Sequence, residues 1–272
     1  MELKFIMKPL QKYNIPLKIQ QGYLYVGFAL SLIYLLTYNL SAEIIITTLI
    51  LGAIHTHCVS IFYHRYLVHH AFKLHRWVNY VGATFTCLYN GGSPYTWRSV
   101  HHLHHKFADT KFDPHSPERS SNIFTHMHYV SSNDMVHHKA KTTDLTWQKE
   151  TTDRYHVFLH KYGHYLKLAF SFFLLFIFGF EVMMIVHILP IMISTFNVAC
   201  TNILAHSKIP FSYKPDDNTK NCAHNNFLVA ITTSAGEGWH YNHHKYPERA
   251  NFGEKWWQID TAYYIIKLIE KK

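Results

Sequence analysis

Two stretches of the chain, residues 20–63 and 168–207, contain no lysine or arginine. Each is about forty residues long, and a helix rising about 1.5 Å per residue needs roughly 20 apolar residues to cross a bilayer. Each stretch therefore reads as a helical hairpin. The first runs from about Gly22 to Leu40, turns at Ser41 and Ala42, and returns from Glu43 to about Tyr63. The second runs from about His164 to Phe178, turns near Gly179, Phe180 and Glu181, and returns to about His206. Its first leg is short for a crossing, so the start is expected further back. A buried hairpin of a soluble protein would show a polar stripe, and residues 170–178 show none. The β-branched run 44–48 has strand propensity, but lipid disfavours an isolated strand. The expected fold is an all-α integral membrane protein with four transmembrane helices in two hairpins.

The charges set the orientation. All 26 Lys and Arg fall within residues 1–19, 64–167 and 208–272, which four crossings place on one side. The positive-inside rule makes that side cytoplasmic, with both termini on it. The +9 net charge then follows from topology and from contact with anionic head groups. The basic residues form no motif or stripe, so no nucleic-acid partner is expected. Residues 1–21 read as an interfacial segment rather than a signal peptide, because Lys8, Pro9, Lys12, Pro16 and Lys18 interrupt any apolar core. One domain covers 1–272: hairpins at 22–63 and 164–206, and cytoplasmic parts at 64–163 and 207–272. Charged residues are only 16% against roughly 25% in a soluble domain. Disorder is excluded by the 48% hydrophobic content. Cys58, Cys87, Cys200 and Cys222 show no CxxC spacing and read as reduced thiols.

Histidine is the compositional outlier, at 24 of 272 residues. His64 and His69 form HxxxxH where the second crossing ends. His101, His104 and His105 form HxxHH, and so do His240, His243 and His244. Positions three and four apart share a helix face, so each HxxHH set can converge. Asn202 and His206 stand at i, i+4 at the end of the last crossing. Nine patterned imidazoles at one depth exceed what one ion takes and suit two metals with positions left open. A cytoplasmic helical cap carrying a histidine-rich dimetal site completes the expected fold. His126, His128, His137, His138, His156, His160 and His164 need no ligand role.

The three boxes and their flanks resemble the integral-membrane fatty acid desaturases, specifically the Δ9 (stearoyl-type) class. Lys106 and Phe107, Asp109 and Thr110, and Asp113 to His115 are similar to the segment after the family's second box. Residues 236–244 with Pro247 and Ala250 are similar to its third. The tail 256–260 is similar to the bacterial and plant branch. The resemblance spans roughly residues 45 to 265. It implies metal ligation by His64, His69, His101, His104, His105, His206, His240, His243 and His244, with Asn202 holding a metal-bound water. It implies two iron ions, O2 as co-substrate, and a saturated acyl-CoA or membrane-lipid substrate. The sequence departs from the family at Thr96, where an acidic residue is common, and at His102, where Arg is frequent. Both lie near the substrate path in relatives, so they bear on substrate identity.

The implied reaction removes two hydrogens from unactivated methylenes, leaving a cis double bond. Such C–H bonds offer no acid–base handle, so the metals carry the hard step. Asp109, Asp113 and Glu237 are candidates to orient the imidazoles, helix caps or surface charges being the commoner fate of such residues. An acyl tunnel past Trp97 and along His57, Ala53 and Gly52 is expected, with close helix packing as the competing role of the small residues. No heme, flavin or dinucleotide signature is present, so an external carrier such as ferredoxin or a cytochrome b5-type protein is expected to supply electrons. The rival readings are hydroxylation on the same scaffold and, less favoured, a membrane metal transporter.

Overall fold

The structure, a computed structural model, describes residues 14–110, 113, 153–216 and 223–272. Residues 1–13 of the interfacial segment, Cys222, and His115, His126, His128, His137 and His138 lie outside the described residues. Among the described residues the elements are helices, apart from one two-residue antiparallel strand pair, Ser212–Tyr213 (β1) with Asn225–Asn226 (β2).

The first two long helices are α1 (Asn14–Thr37) and α2 (Ala42–Val68). Ser41 caps α2 by accepting from the Ile44 amide, and Glu43 complements the positive end of its dipole. The β-branched run 44–48 is helical, as the lipid argument requires. The last ten residues of α2, Val59–Val68, wind as a π-helix. The helix α3 (Arg76–Thr86) follows and ends in a π-turn, Cys87–Gly91. Next comes α4 (Pro94–Phe107), with Ser93 as N-cap and Pro94 opening the first turn.

The other two long helices are α5 (Arg154–Phe178) and α6 (Phe180–Leu204), the latter π-helical over Met184–Ile188. The start of α5 lies ten residues before His164, where Asp153 accepts from the amides of Tyr155 and His156. The turn is a single residue, Gly179, at φ +88, a conformation that a Cβ would strain. Phe180 and Glu181 therefore belong to the returning helix rather than to the turn.

Among the described residues three helices are long and apolar enough to cross a membrane: Ile19–Thr37 of α1, Ala42–Val68, and Phe180–Leu204. At 25 residues α5 is roughly 37 Å long. Lys161 and Lys167 keep it out of that class. The apolar interior packs in three places. Tyr34, Leu174, Met184 and Ile188 join α1, α5 and α6. Tyr63, Leu67, Ala83 and Leu159 join α2, α3 and α5. Ile61, Phe72, Leu74, Ala262 and Ile266 join α2 to the last helix, α9 (Thr261–Ile269). Between them lie α7 (Phe227–Thr233), capped by Asn226, and α8 (His240–Lys245).

Candidate metal centre

The π-helical end of α2 decides how the first box works. In an α-helix, residues five apart point well away from each other. Here the His69 amide donates to the His64 carbonyl at 3.2 Å, an i→i+5 bond, so both rings lie on one side. Helix α4 sends His101, His104 and His105 from one face. The short α8 does the same with His240, His243 and His244. His206 follows directly on α6.

These nine side chains meet in two groups. His64, His69, His101, His105 and His243 form one; His104, His206, His240 and His244 form the other. Within each, the ligand atoms lie within 4.8 Å of one another. In the first group the Nε2–Nε2 separations are 2.9 Å for His64–His243, 3.1 Å for His69–His101, and 3.0 Å for both His101–His105 and His105–His243. In the second they are 3.1 Å for His104–His244, 3.0 Å for His206–His240, and 3.1 Å for His240–His244. Around a metal bonded at about 2.1 Å, adjacent octahedral ligands stand about 3.0 Å apart and tetrahedral ones about 3.4 Å. The shortest separations are those of rings that would share one ion in each group, which His64, His69, His101, His105 and His243 would hold in the first and His104, His206, His240 and His244 in the second.

Three carboxylates fix the tautomers. The Nδ1 of His64 donates to Glu237 at 3.1 Å, that of His104 to Asp113 at 3.0 Å, and that of His206 to Asp109 at 3.2 Å. An ionised carboxylate only accepts, so the proton is on Nδ1 and the lone pair on Nε2 faces the group's centre. An Nε2–H from one neighbouring ring can satisfy only one such lone pair, whereas a central cation satisfies them all. Glu237 and Asp113 are buried. They are ring partners rather than surface charges, although Asp113 also accepts from the Asp109 amide at 2.8 Å. Burial opposes ionisation of Glu237, but His64, Arg65 and a 2.5 Å bond from the Ser60 hydroxyl outweigh it and hold the carboxyl at about 2. Burial and crowding by neighbouring rings push His69, His101, His240, His243 and His244 well below the ordinary imidazole range, and His105 to about 3. All are neutral at pH 7, the form that binds metal.

The remaining residues singled out from the sequence are more dispersed. Trp97 stacks on His101, with centroids 5.0 Å apart, and lies 5.6 Å from His64. His57 donates through Nδ1 to the Ala53 carbonyl, and its Nε2 is 2.6 Å from the Thr261 hydroxyl. Gly52 lies against α6, where an added Cβ would be 2.7 Å from Ile193 Cγ2. Asn202 is on α6, four residues before His206. His70 and His102 belong to neither group. Both flank the buried Arg98, whose Nη2 donates to His70 Nε2 at 3.1 Å and whose Nε lies 3.5 Å from His102. His156, His160 and His164 sit on α5, away from both groups.

Sequence reasoning passed over Arg65, inside the first box. It is fully buried and pairs with Asp260 at 3.0 Å, donates to the Ala235 and Ala250 carbonyls, and covers the Phe252 ring. This pair ties the first box to the segment after the third. An arginine among apolar neighbours with an aspartate close to the end of the chain was the only signal for it.

The described residues thus place two adjoining all-imidazole groups, each able to hold a metal ion, on a bundle with membrane-length apolar helices. Comparison with known proteins supplies the family: the fatty acid desaturase family model matches residues 41–270, and the chain belongs to that family. It is 35% identical over 218 residues to an acyl-CoA C20 Delta5-desaturase of Anemone leveillei, covering 76% of this chain and 64% of the relative. It is 30% identical over 213 residues to Delta-9 acyl-lipid desaturase 1 of Arabidopsis thaliana, covering 78% and 67%. It is 32% identical over 215 residues to an icosanoyl-CoA 5-desaturase of Limnanthes douglasii, covering 78% and 58%. The chain thus spans about 58% to 67% of the length of these relatives.

Proposed function

We propose that the chain is an O2-dependent acyl desaturase that places a cis double bond, at Δ9, in a saturated acyl chain carried as an acyl-CoA or a membrane lipid. The observation that carries the reading is the pair of imidazole groups with converging lone pairs. His64, His69, His101, His105 and His243 would hold one iron. His104, His206, His240 and His244 would hold the other, with Asn202 binding a water on it. When bound, such a pair supplies the oxidising power that unactivated C–H bonds demand. In balance, one –CH2–CH2– unit, O2, two electrons and two protons give –CH=CH– and two waters.

The chain's own residues position and insulate. Glu237, Asp113 and Asp109 lock the rings through Nδ1. Trp97 walls the first group, and a tunnel along His57 and Ala53 toward Gly52 would keep the acyl chain in register. Neutral imidazole ligation separates this centre from carboxylate-bridged soluble bundles. An external ferredoxin or cytochrome b5-type carrier would deliver the electrons. The first and second hairpins would make four crossings, α5 being the fourth, with the histidine end and both termini cytoplasmic.

The test is expression in a desaturase-deficient host, with double-bond location in the fatty-acid methyl esters and iron measured on the purified protein. Δ9 products with about two irons per chain support the reading. A second reading, desaturation at Δ5, is favoured by the Anemone leveillei similarity and is separated by the same analysis. Hydroxylated products or saturated lipids alone would overturn both.

A further inference from the structure

The segments on either side of the third box carry an apolar surface that the charge pattern does not anticipate. On α9, Ala262 and Ile266 pack inward, while Tyr264, Ile265 and Leu268 face out, Leu268 at 85% exposure. On α7, Val229 and Thr233 pack inward, while Phe227, Leu228 and Ile231 face out, Ile231 at 78%. Between them in sequence, Trp256 is 94% exposed and Ile259 is also open. A soluble surface rarely leaves so many large apolar side chains together.

Where these helices attach shows what covers them. The first residue of α9, Thr261, meets His57 at 2.6 Å. His57 lies seven residues before His64, about 10 Å deeper along α2, inside the apolar span Ala42–Val68. Helix α7 contacts both α2 and α6. The exposed faces of α7 and α9 therefore adjoin the outward apolar faces of the membrane-length helices, where Ile50 and Ile54 of α2 and Phe196 of α6 are also open. Lys255, Lys267, Lys271 and Lys272 are exposed around this surface. Tryptophan and lysine beside an apolar face are the pairing that favours the head-group boundary.

We propose that α7, α9 and residues 256–259 form a platform seated in the phospholipid leaflet on the histidine side, without crossing it. The inference rests on the reading that α1, α2 and α6 cross the bilayer. The third box is bolted to this platform. The Trp239 indole N–H donates to the Ile259 carbonyl at 2.8 Å, the Asn226 amide donates to the Gly238 carbonyl at 2.7 Å, and a Cβ on Gly238 would strike the Ala230 backbone. His240, His243 and His244 are thereby held at the leaflet surface.

The experiment uses the full chain in phosphatidylcholine nanodiscs brominated at carbons 6,7 or 11,12. The difference between wild type and Trp256→Phe isolates Trp256 emission from that of the other tryptophans. We expect that emission to fall at least twofold with the shallow bromines, to fall less with the deep ones, and to resist aqueous iodide. Trp256 emission quenched by iodide and by neither lipid overturns the proposal. The double variant Ile231→Glu/Leu268→Glu should keep wild-type stability and iron content in detergent, yet lose half or more of the lipid quenching. A wild-type dimer in detergent that this variant converts to monomer would show that a second copy covers the face, and would also overturn it. Failure of the chain to enter nanodiscs removes the membrane reading itself. Lipid quenching without any desaturated product removes the proposed reaction and leaves the platform standing.

Discussion

His104 shows how much of the centre depends on single side chains. Its Nδ1 is held by Asp113, so its Nε2 can only offer a lone pair. The same logic holds at His64 and His206. Replacing Glu237 with Gln keeps the shape but lets the amide present an N–H to His64; we expect metal affinity about 10–100-fold weaker, read by competition with a chelator. Register is tested beside it. His101→Ala and His244→Ala should each lower bound iron and abolish double-bond formation, while His102→Ala should keep metal and much of the activity. Iron retained in His101→Ala but lost in His102→Ala would mean that the ligand register is wrong. The histidine pattern was legible from spacing alone, because three- and four-residue steps repeat on a helix face. The carboxylates Asp109, Asp113 and Glu237 were legible only as candidates, because Asp113 is nine residues from His104 and Glu237 is 173 from His64, and the fold alone decides which ring each one meets. Arg65→Met leaves Asp260 buried without its cation, a loss of about 3–5 kcal/mol. Thermal unfolding in detergent should show it, with lower iron occupancy as a consequence.

At the level of elements, the long apolar helices were legible because lysine and arginine are absent from two lengths of chain that match a bilayer. The end of α2 was not, since no propensity scale marks a π-helix. The five-residue step in HxxxxH is nonetheless its trace: two ligands five apart can share a face only if the helix widens. Gly52 sits in the α-helical part of the same element, where α2 and α6 approach closely. Gly52→Leu must displace Ile193 from a Cβ position 2.7 Å away. Overpacking of this kind costs about 1–3 kcal/mol. If packing is the whole role of Gly52, Ile193→Ala should restore stability and the original chain-length profile together. If Gly52 also closes the acyl tunnel, Gly52→Leu should shift products toward shorter chains, and Ile193→Ala should restore stability without restoring length. Fatty-acid profiles of the single and double variants decide between them.

For the whole molecule, the buried histidines tie stability to pH with a definite sign. In the folded chain His69, His101, His240, His243 and His244 titrate well below the ordinary range, His105 at about 3 and Glu237 at about 2. In the unfolded chain histidine titrates near 6.5 and glutamate near 4.3. Below about pH 6.5 the unfolded chain therefore binds more protons than the folded one, and stability rises with pH wherever that holds. We expect the metal-free protein to be most stable above pH 7. It should lose stability steadily between about pH 6.5 and 3, with Glu237 adding its share below about pH 4.5 and down to its folded value. Bound metal steepens the loss, because protons and metal compete for the same Nε2 lone pairs. Loading iron should raise the melting temperature at pH 7.5 and raise it much less at pH 5.5, and a chelator should reverse the gain. Melting temperatures from pH 8 to pH 5, with and without metal, are the measurement. A melting temperature that is flat over that range, or highest near pH 5, would mean that these rings are not the buried, neutral, converging set on which the centre depends.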